Sequence, residues 1–299
     1  KSKERISLYR VPTLGGVRTK ILDDVYSPVS FSPDGREMVF NRLNPQTGES
    51  ALIIAASDGS GAERILLSGA RGQEVLLYPA WSPDGESIAF VASYQRQGSH
   101  LGFTKINKIN LRTGEILSLS PEDWEACFRL VWTRDGAGLV FVGTKADEGL
   151  STRRDNVFYL SVRTGEARRL TVDGNRYQPL SLGVTDDDAR TAAQITNGAA
   201  DGRVGIAPLP DGRVGYVTRV GENLHVWLMN GDGTDPKQLT TNPPYIEELR
   251  AAPDGSYFVF SARRNRAQHL FRIDADGSNL RQLTFGDNSE VDSTISPDG

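Results

Sequence analysis

The chain has 299 residues, a formal net charge of −4, 24% charged residues and 38% hydrophobic ones. That balance fits a soluble globular protein, and it gives no reason to expect nucleic acid as a partner, which would favour a basic face. The 31 glycines and 15 prolines mark a chain rich in turns, and the lone Cys127 excludes both an intramolecular disulfide and a cysteine-based metal site.

Taken in order, residues 7–11, the turn 13–16 and residues 17–22 read as two strands. A turn motif then recurs. Phe31-Ser32-Pro33-Asp34-Gly35, Trp81-Ser82-Pro83-Asp84-Gly85, Trp132-Thr133-Arg134-Asp135-Gly136, Ala252-Pro253-Asp254-Gly255 and Ser296-Pro297-Asp298-Gly299 are near-copies. Looser versions are Thr185-Asp186-Asp187-Asp188 and Leu209-Pro210-Asp211-Gly212. Proline presets φ at the first turn position, Asp bonds back to the turn backbone and Gly accepts the exit geometry.

Successive motifs end 50, 51, 52, 24, 43 and 44 residues apart. All but one step fall near the roughly 40–50 residues of a four-stranded propeller blade. Within the second period, 79–81 forms a short strand a, 87–92 alternates as strand b, 105–111 is strand c, and 115–119 returns as strand d after Arg112-Thr113-Gly114. The third period matches at 130–132, 138–142, 156–162 and 167–170, and the sixth at 249–251, 257–261, 269–273 and 281–283. The first (29–67) and the fifth (206–239) are complete by the same test.

The fourth period is short. Strand a at 181–184 and the start of strand b at 190–193 run straight into Gln194-Ile195-Thr196, which looks like the end of a strand d. The expectation is an all-β propeller of four-stranded blades, with six to seven repeats, one shortened blade and an incomplete terminal one. The divisions fall at 1–26, 27–75, 76–125, 126–173, 174–203, 204–245, 246–288 and 289–299. Residues 292–295 read as a final strand a. Either it shares a blade with 7–11 and 17–22, or both half-blades continue in a longer protein; the second reading is adopted here. Both ends read as cuts, which places targeting signals outside the chain. The longest aliphatic run, residues 51–56, is too short to span a bilayer, which takes roughly 18–20 residues.

The Ser-Pro-Asp-Gly turns, with the Asp-Gly and Thr-Gly turns after strand c, resemble the WD40-like repeat of the TolB-type propeller family. More narrowly, Ser7-Leu8-Tyr9-Arg10-Val11-Pro12 and Trp227-Leu228-Met229-Asn230, followed by Asp232-Gly233-Thr234 and Gln238-Leu239-Thr240, resemble the C-terminal propeller of bacterial receptor-type serine/threonine kinases. The resemblance implies a non-catalytic sensor or interaction domain of a signalling protein, working in the periplasm or outside the cell. The short fourth blade departs from that pattern. Two other readings stay open: a periplasmic TolB-like docking propeller, and the gating propeller of a prolyl-oligopeptidase-type hydrolase.

Searches for chemistry end in turns. There is no His-Arg-Asp loop, no Asp-Phe-Gly and no complete Gly-x-Ser-x-Gly elbow. His100, His225 and His269 lie far apart and are assigned no metal or catalytic role, which would need convergent ligands. Asp274-Ala275-Asp276-Gly277-Ser278 opens like a calcium loop but lacks the later ligands, so it reads as a hairpin turn. Arg263, Arg264 and Arg266 read as a solvated loop, Cys127 as a buried thiol, and Phe31, Trp81 and Trp132 as packing between blades. No cofactor is expected.

Strand alternation puts the short a–b and c–d turns at one face. The b–c loops (42–50, 93–104, 144–156) and d–a loops (69–75, 121–127, 242–248) lie at the other. Variable loops on a rigid scaffold are where recognition resides. The expected contact surface is therefore this second face, with the channel mouth near Tyr78, Arg129, Tyr177 and Tyr245; the alternative is that these four only fill space. The expected partner is a protein or peptide, or else a small molecule, with no membrane contact by the domain itself.

Overall fold

A computed structural model describes residues 6–44, 46–69, 74–95, 102–120, 124–145, 156–170, 205–241, 245–264 and 266–299. Every regular element among them is a β-strand. β1 (Ser7–Arg10) and β2 (Thr19–Asp23) pair alone. β3 (Ser30–Phe31), β4 (Glu37–Leu43), β5 (Ser50–Ala56) and β6 (Arg64–Ser68) form an antiparallel four-stranded sheet in sequence order. The second repeat is β7 (Glu74–Trp81), β8 (Ser87–Gln95), β9 (Gly102–Asn110) and β10 (Ile116–Ser118). The third is β11 (Trp124–Trp132), β12 (Gly138–Lys145), β13 (Asn156–Ser161) and β14 (Ala167–Arg169). One bridge, Trp124 to Thr104, joins these two repeats edge to edge.

Two further four-stranded sheets follow. They are β15 (Ile206–Pro208), β16 (Val214–Val220), β17 (Asn223–Met229) and β18 (Lys237–Gln238), then β19 (Tyr245–Ala251), β20 (Tyr257–Arg264), β21 (Ala267–Asp274) and β22 (Arg281–Gln282). The fourth repeat, including the strands expected at 181–184 and 190–193, lies outside the described residues.

The chain divides into two compact units, Lys1–Tyr9 with Lys20–Gly174, and Arg10–Thr19 with Asn175–Gly299. In the first, the core lies between sheets: Val39, Leu52 and Ile54 meet Leu76, Trp81, Ile88 and Phe90, while Ala89, Val91 and Ile106 meet Trp124, Leu139, Phe141 and Phe158. In the second, Val217, Val226 and Leu228 pack with Ile246, Leu249, Phe258 and Phe260. Gly215 lies so close under the Phe258 ring that a Cβ there would overlap it. Each buried Phe or Leu contributes about 1.5–3 kcal/mol.

The inter-sheet packing confirms the reading of Trp81 and Trp132. Trp81 joins the cluster between the first two sheets, and Trp132 donates its indole N–H to the Ala80 carbonyl at 3.0 Å. Phe31 packs with Met38 and with Leu8, Ile21 and Leu22.

Three expectations are corrected. Residues 87–92 do not alternate between core and solvent. All six are buried, because sheets cover both faces of β8. The strands a are also far longer than expected: β7, β11 and β19 begin at Glu74, Trp124 and Tyr245, inside the expected d–a loops. Each is bulged: β7 between Leu77 and Ala80, β11 between Phe128 and Val131 and again between Trp124 and Ala126, and β19 between Ile246 and Glu248. A bulge inverts the in–out alternation, so a period-two reading stops there although the ladder continues. Residues 292–295, finally, form no strand. Asp292 is left-handed at φ 55°, although Ile295 still packs with Val11 against Ala252, Tyr257, Val259 and Leu283. The shared-blade alternative needs that contact.

Candidate functional site

The turn motif is built as its residues dictate. Ser32, Ser82 and Thr133 donate their hydroxyls to Asp34, Asp84 and Asp135 at 2.5–2.6 Å. The same hydroxyls accept the N–H that opens strand b, of Glu37, Ser87 and Gly138, at 2.9–3.0 Å. Each Asp also accepts the amide two residues on, from Arg36, Glu86 and Ala137. These donors hold the Asp34 and Asp84 carboxyls below the usual carboxylate value, the serine hydroxyl being the main cause. Oδ1 of each Asp is thus engaged twice within its own turn. This end of the sheet is structural.

The bulges are different. Tyr78 and Arg129 sit four residues before Ser82 and Thr133, the same place in consecutive repeats, and both are left-handed, at φ 49° and 54°. Asp292 occupies that place before Ser296. A non-glycine residue held there costs about 1–3 kcal/mol and persists only where its surroundings over-determine it. Tyr78 meets Phe128 edge-to-face with centroids 6.0 Å apart, which brings it beside the chain neighbour of Arg129. Both Tyr78 and Arg129 are half-buried. The structure thus groups a phenol, a phenyl ring and a guanidinium-bearing bulge on the first strands of two consecutive repeats in the first unit.

Tyr245 is not at that position. It precedes Ala252 by seven residues, opens β19, and is exposed opposite Arg263. The counterpart of Tyr78 in that sheet is Glu248, which sequence reasoning missed although counting back from the turn would have found it. Glu248 is buried, pairs with Arg250 at 3.4 Å and accepts from the Ser293 amide at 3.2 Å. Tyr177 and His100 lie outside the described residues.

Near the opposite ends of these strands, Tyr94 donates its hydroxyl to Glu74 at 2.8 Å and stacks on Phe103 at 5.1 Å. Burial, then Glu74, pushes that phenol up to about 12. Trp124, missed because it lies beyond the bulge, packs on Phe141 and Phe158 at 5.0 and 4.8 Å under the Lys145 ammonium. Arg263 and Arg264 belong to β20 rather than a loop, and Arg263 pairs with Glu247 at 2.8 Å.

His225 and His269 share one repeat position and are both buried. His225 Nδ1 lies 2.7 Å from the Thr240 carbonyl, and Thr240 Oγ1 accepts the Val226 amide. Among the described residues no group of three or more His, Cys, Asp or Glu side chains could hold a metal ion. Asp276 accepts from the Ser278 amide within its turn, as the hairpin reading expects. Burial pushes the Cys127 thiol up to about 12, so it is no nucleophile at neutral pH.

No family model matches the chain. It is similar to dipeptidyl-peptidase 5 of Porphyromonas gingivalis, 26% identical over 159 residues that make up 51% of this chain but only 22% of that protein. Among solved structures, it resembles the β-propeller domain of the Trilobed protease from Pyrococcus furiosus, with TM-score 0.61, 14% identity and coverage of 95% and 91% of the two chains. It also resembles TolB from Acinetobacter baumannii, with TM-score 0.57, 19% identity and coverage of 91% of this chain and 57% of that one. The fold is a β-propeller. Its four-stranded antiparallel sheets are the blades, and the strands that carry Tyr78 and Arg129 are the first strands of theirs.

Proposed function

We propose that this propeller is a non-catalytic interaction domain that takes a protein or peptide at the bulged first strands of its blades, with Tyr78 and Arg129 as contacts. One observation carries the reading: a strained, left-handed bulge recurs at the same position of two consecutive repeats, at Tyr78 and at Arg129. Bulges of this kind re-aim side chains and are over-represented beside functional sites. An aromatic ring beside a guanidinium suits extended peptide, through packing and bidentate hydrogen bonds. The finer setting is a sensor domain of a bacterial signalling protein, supported by the two N- and C-proximal segments that resemble kinase propellers.

A second reading is favoured by a specific observation. The 159-residue similarity to a dipeptidyl-peptidase supports a propeller that screens peptides before a hydrolase domain carried elsewhere in a longer chain. Both readings use the same contacts.

The test is panning of a displayed random-peptide library on the immobilised chain. Enriched peptides should lose at least about tenfold in affinity, or roughly 1.4 kcal/mol, with Tyr78→Ala and with Arg129→Ala. They should keep it with Asp84→Ala at the turn end. No enrichment, or equal loss in all three variants, refutes the site. The sequence of the surrounding gene then separates the settings, by a kinase domain or a hydrolase domain.

A further inference from the structure

In four of the five described four-stranded repeats, the cross-strand pair closest to the c–d turn has a buried aliphatic side chain on strand c. These residues are Ile54, Ile109, Leu160 and Leu228. In the last repeat the same pair is Arg272 on β21 and Arg281 on β22. Like charges directly opposite on neighbouring strands are destabilising, so this sheet departs from the pattern at a cost.

Both guanidinium groups turn to one neutral atom. Arg272 Nη1 and Arg281 Nη2 donate to the Thr13 carbonyl at 3.3 and 3.5 Å. A guanidinium donates to a well-placed oxyanion at about 2.7–2.9 Å, so the carbonyl serves neither well. Arg272 is otherwise compensated. Its Nε and Nη2 donate to Asp274 Oδ1 at 3.3 and 3.1 Å, and it lies 3.8 Å from the centre of the Tyr257 ring. Arg281 is not: it enters no ion pair among the described residues. Its Nε is sealed from solvent and has no acceptor. A partly buried guanidinium without a counter-charge carries a desolvation cost that an anion would offset.

We propose that Arg272 and Arg281 form a binding site for an oxyanion, a carboxylate or a phosphate, whose place the Thr13 carbonyl only half fills. β22 is the outer strand of its sheet, so the long Arg281 side chain swings its fork from the carbonyl to the ligand without breaking a ladder. Two oxygens of the ligand accept Nε and Nη2 of Arg281 side by side, and Arg272 Nη1 is the third donor. Two long bonds to a neutral acceptor give way to three charge-assisted ones. Asp274 stays on Arg272, which leaves the pair with one uncompensated positive charge for the ligand to neutralise. The site is separate from Tyr78 and Arg129, which belong to the other unit.

Isothermal titration calorimetry of the 299-residue chain tests this, with inorganic phosphate and acetate titrated separately in chloride at constant ionic strength. At least one anion should bind saturably. Phosphate alone would assign a phosphoryl ligand, and acetate alone a carboxylate. Arg281→Gln and Arg272→Leu should each weaken that binding about tenfold or more. Leucine is the residue that two of the other repeats carry at the position of 272, so the fold should tolerate it. A second measurement needs no substitution. At about ten times its Kd, the bound anion should slow modification of Arg281 by an arginine-specific dicarbonyl about tenfold. Peptide mass spectrometry reads that rate, and the exposed Arg36 should react as fast as before. No saturable heat with either anion, binding that both variants leave unchanged, or equal slowing at Arg281 and Arg36 overturns the proposal.

Discussion

Replacing Trp81 by alanine probes how the blades hold together. Trp81 is 8% exposed and packs with Val39, Leu52 and Ile54 of one sheet and with Leu76, Ile88 and Phe90 of the next. Its indole N–H also reaches the Gly85 carbonyl at 3.3 Å. Truncation removes apolar contact from two sheets at once and leaves a cavity that β-strands, tied by their ladders, cannot collapse. The expected cost is about 3–5 kcal/mol. With an unfolding entropy near 2.1 cal/mol/K per residue, that lowers Tm by roughly 5–8 °C if all 299 residues melt together. The shift is about twice as large if only the unit carrying Trp81 melts, because about half as much entropy then changes. Calorimetry at matched scan rate reads the shift, and urea denaturation checks its free energy. A Tm within about 1 °C of wild type would refute inter-sheet packing as the source of cohesion.

Two further substitutions test the turn and the lone thiol. Ser82→Ala strips Asp84 of its main donor and leaves the buried Ser87 amide without an acceptor, at a cost of about 1–3 kcal/mol near neutral pH. The Asp84 carboxyl is depressed in the folded state, so its contribution is complete above the unfolded value of 3.8 and is lost as pH falls through the lower folded one. The gap between the urea midpoints of wild type and variant should therefore narrow in that acid window, leaving the part due to the Ser87 amide; a constant gap would contradict the assignment. Cys127, with its thiol pushed up to about 12, should react with a thiol reagent only after unfolding. Prompt labelling of the native protein would contradict its burial.

The turn chemistry and the period were legible in the sequence because both are local. Pro, Asp and Gly act within four or five residues, so Ser82–Gly85 announces its own geometry, and the repeat of that geometry sets the blade. Strand length was not legible. Whether β7 stops at Pro79 or runs back to Glu74 depends on a ladder with β8, a partner that a period-two pattern cannot see past the bulge at Tyr78. The same limit hid Trp124, a core residue of β11 that reads as loop until its strand is paired. Tyr78 and Arg129 were named as candidates for being polar or aromatic near a strand start. Their equivalence and the mismatch of Tyr245 follow from counting back from the turn, but their left-handed backbone emerged only in the folded structure. Arg18 and Glu290 are 272 residues apart, and only the tertiary structure brings a guanidinium from one end of the chain to a carboxylate near the other. Local backbone preference thus determined what each blade is, and long-range packing decided which residues it exposes and what fastens it.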